Sequence, residues 1–371
     1  MSIQPKPEIE KLKTCPHGGP DYAELSAMGI SADEVIDFSV GSNPFSFPPE
    51  IKDVLNSVAI DRYPDSECAE LRACLSEKLD VSPDNIIVGS GSTEIIRLIA
   101  LAYFGYGDSA LILKPTFGEY EVACHIVGAK VLEQWAREEA CFAFDTDETC
   151  TLIQKHQPKG VFICNPNNPT GQYLSQQEIE RVLQARAQSL VILDEAYSAF
   201  TEGSWLSTDL IPQGNIISVC SMTKDYALAG LRLGYAVADK EIIHHLRQVC
   251  PPWNVNAAAQ KAGVIALKNA SYLKQCEQKI RKAKQFLVKE LGNMGFAVLP
   301  SKTNFFLTKV GNATKLRACL LKHGILVRDC ASFGLPQYVR IAVLTLPQCR
   351  KLINTLRELK RTGEFDIKIS P

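Results

Sequence analysis

Residues 221–235 of the chain read SMTKDYALAGLRLGY, and they follow the apolar run Ile216–Cys220, which is typical of a buried strand. A lysine directly after such a strand is partly desolvated, and desolvation lowers the pKa of the Lys224 amine so that it can attack an aldehyde. Ser221 and Arg232 would flank a phosphate, one through its hydroxyl and the other through its charge. Taken alone, the S-x-x-K pattern also fits a surface lysine or the serine nucleophile of penicillin-binding proteins.

The same segment closes a series of short apolar runs that alternate with helical patterns through the middle of the chain. This alternation predicts βαβ units, and therefore an α/β fold with a mainly parallel sheet. The runs are almost continuously apolar, as expected of strands that helices cover on both faces. The predicted strands are Ile86–Gly89, Ser109–Leu113, Gly160–Cys164, Leu190–Asp194, Ile216–Cys220 and Gly234–Ala238.

A second, smaller α+β domain is predicted after the break at Pro251-Pro252. We divide the chain into an N-terminal arm that joins the small domain (1–45), a large cofactor-binding domain (46–250) and a small C-terminal domain (251–371). The elements predicted for the last part are the helices Ala257–Leu291 and Leu346–Lys360 and the strands Phe296–Leu299, Asn304–Thr308, Ile325–Val327 and Tyr338–Val343.

Composition and charge argue against several classes of partner. The formal net charge of the 371 residues is -1, so the concentrated basic surface that nucleic acid or an anionic membrane requires is not expected. Residues 1–20 lack the apolar core of a signal peptide, and no long apolar run suggests a membrane span, so a cytoplasmic protein is expected. The 13 cysteines include no C-x-x-C pair, so neither a zinc site nor a thioredoxin-like site is expected. Their odd number, in a sequence with no predicted signal peptide, favours reduced thiols.

The residues Asp194-Glu195-Ala196-Tyr197 end one of the predicted strands. A carboxylate at the carboxyl end of a parallel strand points into the crevice where ligands bind in open α/β sheets. There Asp194 would keep a pyridine nitrogen protonated, so that the ring withdraws electrons from a substrate carbanion, and Tyr197 would hydrogen-bond the ring's phenolic oxygen. A magnesium site of a nucleotide enzyme is the alternative, but the chain has no G-x-x-x-x-G-K-[ST] loop.

Two turns and an aromatic residue would complete such a site. NPNNPTG (165–171) is a rigid turn on its composition alone, and as a site it would direct Asn168 towards the ring oxygen. GSGSTE (89–94) joins a strand to the predicted helix Glu94–Tyr103, and the free N–H groups and the dipole at the start of that helix suit a phosphate. Phe117 would stack on a planar ring or else belong to the core.

In this order and spacing, the motifs GSGSTE, KPTF, NPNNPTG, LDEAY, SMTKDYALAGLRLGY and YVRIAV resemble those of fold-type I pyridoxal-5′-phosphate (PLP) enzymes of the aminotransferase superfamily, class I/II, over nearly the whole chain. The resemblance implies a large domain with a mainly parallel seven-stranded sheet, PLP as cofactor, and a homodimer with shared active sites. It implies Lys224 as the Schiff-base lysine and catalytic acid/base. It also implies Arg340 as the arginine that binds the substrate α-carboxylate.

The same resemblance implies the remaining cofactor contacts. Asp194 would bind the pyridine nitrogen, and Tyr63 would reach the phosphate of the neighbouring subunit's cofactor. The other implied contacts are Asn168 and Tyr197 at the ring oxygen, Phe117 on the ring face, and Ser92, Thr93, Ser221 and Arg232 at the phosphate.

Two branches of the superfamily fit best, histidinol-phosphate aminotransferase and threonine-phosphate decarboxylase. Both take a phosphorylated substrate, for which Arg328 is the candidate clamp and His17 and Gly41 are further candidate contacts. The segments that resemble the decarboxylase are HGG (17–19), DFS (37–39), PWNVNA (252–257) and ILVRDCA (325–331).

The chain departs from the decarboxylase pattern at three places: Gly41 stands where that branch usually has Asn, Tyr22 lies close to where an Arg follows HGG, and Leu344 replaces an Arg after YVRIAV. The reaction depends on which bond stands perpendicular to the cofactor ring. If Arg340 holds the carboxylate near the ring plane, Cα–H is cleaved and Lys224 shuttles the proton; if the carboxylate stands upright, CO₂ leaves. We expect transamination with a 2-oxo acid as co-substrate. The alternatives are decarboxylation of threonine or serine phosphate and a non-catalytic PLP-binding regulator, although no basic helix-turn-helix pattern is present.

Overall fold

The computed structural model describes residues 3–10, 12, 14–201 and 203–365, which form two β-sheets flanked by helices. The strands are β1 (Ile36–Phe38), β2 (Ile86–Gly89), β3 (Ser109–Lys114), β4 (Lys130–Trp135), β5 (Gly160–Cys164), β6 (Leu190–Asp194), β7 (Ile216–Ser221), β8 (Gly234–Ala238), β9 (Ala297–Val298), β10 (Phe305–Lys309), β11 (Ile325–Asp329) and β12 (Tyr338–Ala342). The helices are α1 (Pro7–Glu10), α2 (Tyr22–Met28), α3 (Pro49–Ser57), α4 (Ala69–Leu79), α5 (Ser92–Tyr103), α6 (Glu119–Ile126), α7 (Thr146–His156), α8 (Gln176–Ala185), α9 (Met222–Asp225), α10 (Lys240–Val249), α11 (Ala257–Lys268), α12 (Ala270–Asn293), α13 (Ala313–Lys322) and α14 (Leu346–Thr362). Within the described ranges, no helix combines the length and apolarity needed to cross a bilayer.

The larger sheet has seven strands in the order β2-β8-β7-β6-β5-β3-β4. Strand β8 runs antiparallel to both of its neighbours, and all other adjacent pairs are parallel. The predicted α/β fold with a mainly parallel seven-stranded sheet is therefore confirmed. All the strands predicted for this sheet are present; β3 and β7 extend one residue further than predicted, and the others have the predicted ends.

Helices cover both faces of the larger sheet, because alternate residues of its central strands enter different hydrophobic cores. In β5, Phe162 and Cys164 belong to the core shared with α5, α6 and α10. Val161 and Ile163 belong to the core shared with α7 and α8. Every residue of β5 and β6 is buried, which is the physical reason for their continuous apolar sequence.

Strand β4 was not predicted from the sequence. It lies at the edge of the sheet and pairs with β3 alone among the described strands, in the register Ser109↔Lys130 to Lys114↔Trp135. Its sequence KVLEQW carries charged and polar side chains between the apolar ones, and half of its residues are exposed. Such a pattern is usual for an edge strand, which only one neighbouring strand covers.

The single helix predicted for residues 257–291 is two helices, α11 and α12, which meet at Asn269. Helix α11 is capped by Asn256, whose side chain accepts the Ala259 N–H at 2.8 Å, and it packs against α3 and α4. Helix α12 packs against α14 and joins the core of the smaller sheet. The break therefore redirects the chain from one core to the other. The proposed boundaries at residues 45 and 250 stay a prediction.

The smaller sheet has the strand order β1-β11-β12-β10-β9. Strand β1 pairs in parallel with β11, and the remaining pairs are antiparallel. Residues that follow β1 reach α9, the short helix after β7 of the larger sheet. There the Asn43 N–H donates to the Lys224 carbonyl at 2.7 Å. The N-terminal part of the chain thus connects the smaller sheet to the segment that the sequence analysis identified first.

Candidate active site

A cavity of ≈ 440 Å³ opens at the carboxyl ends of β5, β6 and β7, the position where ligands bind in open α/β sheets. Residues 15–18 and the side chains of Arg328 and Arg340 line its other side. All residues proposed from the sequence line this cavity except Tyr63 and Gly41. Those that line it are His17, Ser92, Thr93, Phe117, Asn168, Asp194, Tyr197, Ser221, Lys224, Arg232, Arg328 and Arg340.

Lys224 lies in the short helix α9, directly after β7, and its backbone is held by neighbouring groups. The Ser221 hydroxyl accepts the Thr223 N–H at 3.4 Å, and the Lys224 carbonyl accepts the Asn43 N–H. Burial, together with the charges of Arg340 and Arg232, lowers the pKa of the Lys224 amine to about 8. The neutral amine, which is the form that attacks an aldehyde or abstracts a proton, is therefore a much larger fraction near neutral pH than in an ordinary lysine.

Asp194 ends β6 and is buried, with only 2% of its surface exposed. Burial raises the pKa of this carboxyl, while two hydrogen bonds favour its ionised form. The Tyr120 hydroxyl donates to Oδ2 at 2.7 Å, and the Ala196 N–H donates to Oδ1 at 3.0 Å. A cationic partner would therefore strongly stabilise the ionised form of this buried carboxylate.

Tyr120 is a residue of this site that the sequence analysis missed. It lies in α6, one helical turn after Phe117, and the two rings meet edge to face with centroids 5.6 Å apart. On its other side the Tyr120 ring stacks on Phe162, with centroids 5.2 Å apart. The available signal was the pattern PTFGEY (115–120), in which the second aromatic residue lies on the same helical face as the first.

The turn between β2 and α5 forms a cradle for an anion. Helix α5 begins at Ser92, so the N–H groups of its first turn and the positive end of its dipole face the cavity. Gly91 has φ +81°, and a Cβ there would lie 2.8 Å from Nη2 of Arg232. Arg232 itself has φ 59°, a strained conformation that places its guanidinium against this turn. Ser221 and Thr223 complete the cradle with hydroxyls 2.7 Å apart.

The loop 165–171 is held rigidly beneath the cavity. The Asn165 side chain accepts the Leu174 N–H at 2.7 Å, and the Asn167 side chain donates to the Pro115 carbonyl at 2.9 Å. Asn168 faces the cavity, where its Oδ1 accepts a hydrogen bond from Arg340. Tyr197 approaches from the end of β6, and its ring meets Phe305 edge to face at 4.8 Å.

Arg340 is a buried cation in β12, with 4% of its surface exposed. It donates to the Ser39 carbonyl at 2.5 Å and to Asn168, and its guanidinium lies 4.8 Å from the Phe305 ring centre. Its Nε has no hydrogen-bond partner, and no carboxylate among the described residues forms an ion pair with it. A buried guanidinium of this kind is suited to bind an anionic group that enters the cavity.

Arg328 is the residue paired with Arg340 on the neighbouring strand β11. It donates to the Pro16 carbonyl at 2.7 Å, to the His17 carbonyl at 3.0 Å and to the Ser332 hydroxyl at 2.7 Å. Burial and the charge of Arg340 lower the pKa of Arg328. Arg328 therefore holds the N-terminal segment against the cavity while its own charge stays without an acidic partner in the described ranges.

Two of the proposed residues lie away from the cavity. Tyr63 is 75% exposed, and its ring stacks on Trp253 with centroids 4.3 Å apart. Gly41 is buried, and a Cβ at this position would lie 2.9 Å from the Phe305 ring and 3.1 Å from the Tyr197 ring. Phe305 thus occupies the space that a larger residue at position 41 would need, so an asparagine there would require this ring to shift.

The residues around the cavity fit PLP group by group. Lys224 would bond to the aldehyde, the cradle of Ser92 and Arg232 would hold the phosphate, and Asp194 would supply the counter-ion of the ring nitrogen. The fit is specific at Asp194, because this buried carboxylate forms no ion pair within the described chain. When bound, PLP supplies an electron sink for a carbanion at the substrate Cα. The fold and the site together define a fold-type I PLP enzyme.

The chain belongs to the aminotransferase class I and II family, whose model matches residues 33–356, and its cofactor is PLP. It is 39% identical over 324 residues to histidinol-phosphate aminotransferase from Thermoanaerobacter sp. (strain X514), covering 85% of this chain and 90% of that protein. The crystal structure of histidinol-phosphate aminotransferase from Clostridium acetobutylicum matches with a TM-score of 0.81 at 28% identity, over 88% of this chain and 99% of that one. L-Threonine-O-3-phosphate decarboxylase from Porphyromonas gingivalis matches with a TM-score of 0.77 at 29% identity, over 87% of this chain and 99% of that one.

Proposed function

We propose that this aminotransferase moves the amino group of a phosphorylated amino acid or amino alcohol, of the histidinol-phosphate type, to a 2-oxo acid. The observation that carries the proposal is the pair of neighbouring guanidinium groups, Arg328 and Arg340, on one side of the cavity. Neither forms an ion pair with a described carboxylate. Two adjacent cations without acidic partners suit substrates that bring their own anionic groups.

The two arginines would divide the anionic groups of the substrates between them. Arg340 is the deeper of the two and hydrogen-bonds Asn168, so it would bind the α-carboxylate of an amino-acid or 2-oxo-acid substrate. Arg328 lies nearer the N-terminal segment and would bind the phosphate. One cavity then accepts both the phosphorylated donor and the 2-oxo acid in turn, as transamination requires.

Lys224 would be the catalytic acid and base in this proposal. Its amine, with its lowered pKa, takes the proton from Cα of the amino donor. In the half-reaction with the 2-oxo acid, the same group returns a proton to Cα of that substrate. Asp194, with its hydrogen bond from Tyr120, holds a proton on the ring nitrogen. The remaining proposed contacts are Asn168 and Tyr197 at the ring oxygen, Phe117 on the ring face, and Ser92, Thr93, Ser221 and Arg232 at the phosphate.

A panel of substrates tests the reaction directly. The purified holoenzyme is incubated with histidinol phosphate, threonine phosphate or serine phosphate, with and without 2-oxoglutarate, and the products are identified by mass. We expect glutamate, and more than one oxo product per active site, only when 2-oxoglutarate is present; without it, the donor half-reaction gives at most one oxo product per active site. Absence of a half-reaction with every donor, glutamate included, would overturn the assignment as an aminotransferase.

A phospho-amino-acid decarboxylase is the second candidate. It is favoured by the docking of the HGG segment, because Arg328 fixes His17 at the cavity mouth, and by the match to a threonine-phosphate decarboxylase structure. In the same panel, release of CO₂ from threonine phosphate or serine phosphate without any 2-oxo acid supports this candidate. The two reactions leave different products, so a single experiment separates them.

We also propose a homodimer in which Tyr63 reaches the neighbouring subunit's cofactor phosphate. Support comes from the exposure of Tyr63 together with Ile60, which is 94% exposed and adds apolar surface beside it. Hybrid dimers of Lys224→Ala and Tyr63→Ala chains test this, because each hybrid contains one intact site. Random mixing of two inactive variants should restore about a quarter of the wild-type activity; no recovery would contradict shared sites.

A further inference from the structure

Three side chains with metal-binding atoms meet at the mouth of the cavity. The Cys15 thiol, the His17 Nε2 and a carboxylate oxygen of Glu119 all lie within 4.8 Å of one another. Cys15 and His17 belong to the N-terminal segment, whereas Glu119 begins α6 in the larger sheet's helical layer. None of the three is among the residues assigned to the cofactor.

We propose that Cys15, His17 and Glu119 form a Zn²⁺ site with one open coordination position, and that the bound ion fastens residues 15–17 across the cavity mouth. Thiolate, imidazole and carboxylate are the ligands that zinc takes in proteins, and three protein ligands leave the fourth position open. The thiolate disfavours magnesium and calcium, which prefer oxygen ligands alone.

The observed geometry requires only a small contraction around the ion. Zinc bonds of about 2.0–2.3 Å place tetrahedral ligand atoms about 3.3–3.8 Å apart. Nε2 of His17 and Oε1 of Glu119 are already 3.1 Å apart. The remaining adjustment of about 1 Å falls on the N-terminal segment, where the His17 side chain is 55% exposed.

Glu119 is preorganised as a ligand. Its side chain is 8% exposed, and its Oε2 accepts a hydrogen bond from Arg97 Nη2. The other oxygen, Oε1, faces His17. A carboxylate held by one oxygen and directed by the other is the arrangement in which outer groups orient a metal ligand.

Gly118 is an independent observation that supports this site, because it leaves space for the Cys15 thiol beside Glu119. Its φ of −68° is one that any residue adopts, so the backbone does not require glycine here. A Cβ at this position, however, would lie 2.5 Å from Sγ of Cys15. The absence of a side chain at residue 118 is therefore what lets the Cys15 sulfur approach Glu119.

Zinc at this place would restrict entry to the cavity. Residues 16 and 17 are already held on the opposite side by Arg328, through their carbonyl groups. An ion bound to Cys15, His17 and Glu119 would fix the same segment to α6 as well. The segment would then connect both walls of the mouth, and substrates would enter only after the ion leaves.

Zinc binding by the holoenzyme tests the site without any assumption about the substrate. The protein is reduced, stripped with a chelator, and titrated with Zn²⁺ against a chromophoric indicator. We expect one site per chain in the wild type that weakens at least about 100-fold in Cys15→Ser and in Cys15→Ala. Cys150→Ser is the matched control, since it removes a partly buried thiol on α7 and leaves the cluster intact. Equal zinc affinity in the wild type and both Cys15 variants would overturn the proposal.

Cobalt reports the geometry of the same site. Anaerobic substitution with Co²⁺ should give the intense visible d–d bands of a four-coordinate ion in the wild type and in Cys150→Ser. Loss of these bands in Cys15→Ser is expected because the sulfur ligand is gone. Identical spectra in all three proteins would place the cobalt elsewhere and contradict the assignment.

The fastening is tested by the rate of the half-reaction with an amino donor, with each protein compared with its own chelated form. We expect saturating Zn²⁺ to slow the wild type and Cys150→Ser at least tenfold and to leave Cys15→Ser unchanged. Equal slowing of Cys15→Ser, or tight zinc binding by the wild type without slowing, would overturn the fastening. Since the zinc titration is independent of turnover, failure of the proposed aminotransfer would be recognised separately.

Discussion

The two sides of the cavity are built in different ways. The side assigned to the cofactor consists of strand ends and the first turns of helices around one sheet. The pairing of β5, β6 and β7 places Cys164 beside Asp194, and Asp194 beside Val219, two residues before Ser221. The side assigned to the substrate is assembled from the N-terminal segment and from β11 and β12. There, Arg328 contacts Pro16, a residue more than 300 positions away in the sequence. The side assigned to the cofactor follows from strand pairing within one sheet. The side assigned to the substrate forms only when distant parts of the chain come together.

The largest effect is expected on the cofactor side, at Lys224. Replacement by Ala removes both the bond to the cofactor and the proton carrier, so kcat of the half-reaction should fall by at least about 10⁴-fold. Stopped-flow absorbance at saturating donor measures the rate, with Lys240→Ala, a change at an exposed lysine, as the control. Turnover near the wild-type value would contradict the assignment of Lys224 as the cofactor-binding and catalytic residue.

A smaller and selective effect is expected on the substrate side, at Arg328. Arg328→Ala should lower kcat/KM for a phosphorylated donor by about 100-fold, because one charge-assisted contact to the phosphate is lost. The value for glutamate should change far less. Steady-state kinetics with both donors measure the ratio, and Arg328→Lys should recover part of the loss. An equal decrease for both donors would mean that Arg328 only holds residues 16 and 17.

A further effect is expected at Tyr120, whose hydrogen bond to Asp194 lies on the cofactor side of the cavity. Tyr120→Phe keeps the stacking on Phe162 but removes the hydrogen bond to Asp194, so the pKa of Asp194 should rise further and the ring nitrogen should hold its proton less well. We expect kcat to fall about tenfold with little change in KM. The absorbance titration of the bound cofactor should shift as well, which a purely structural defect would not produce. Tyr103→Phe, at a half-buried tyrosine on α5, is the control and should leave both unchanged.

The smallest expected effect is a pH dependence of cofactor capture by the apoenzyme. Only the neutral amine reacts, and the pKa of Lys224 is lowered to about 8 from its ordinary 10.5. The rate of PLP incorporation should therefore rise about fivefold between pH 7 and pH 8 and then level off above pH 9. A rate that keeps rising towards pH 10.5 would show an ordinary lysine at this position.

The same difference between the two sides explains what the sequence could predict. The strands of the larger sheet follow from continuous apolar runs, and Lys224 and Asp194 follow from their places at strand ends. Strand β4 was missed because, as an edge strand, it carries charged residues that obscure the apolar pattern. The break at Asn269 was missed because the apolar pattern continues on both sides of it.

Contacts between distant segments could not be predicted in this way. The hydrogen bond from Tyr120 to Asp194 joins residues 74 positions apart, and the Cys15 cluster joins the N-terminus to α6. The departure at Gly41 was visible in the sequence, but the ring of Phe305 that packs beside it is visible only in the fold. Such positions depend on how segments distant in the sequence pack together, which no local pattern encodes.

The segment between β1 and α3 has a thermodynamic consequence. Its Ser39 carbonyl accepts a hydrogen bond from Arg340, and its Asn43 N–H binds the carbonyl of Lys224. A ligand that binds only the assembled form stabilises that form in proportion to the logarithm of its concentration. PLP attached at Lys224 would therefore oppose undocking of residues 39–43. Protection of this segment against a protease becomes a measure of how much of the enzyme carries its cofactor.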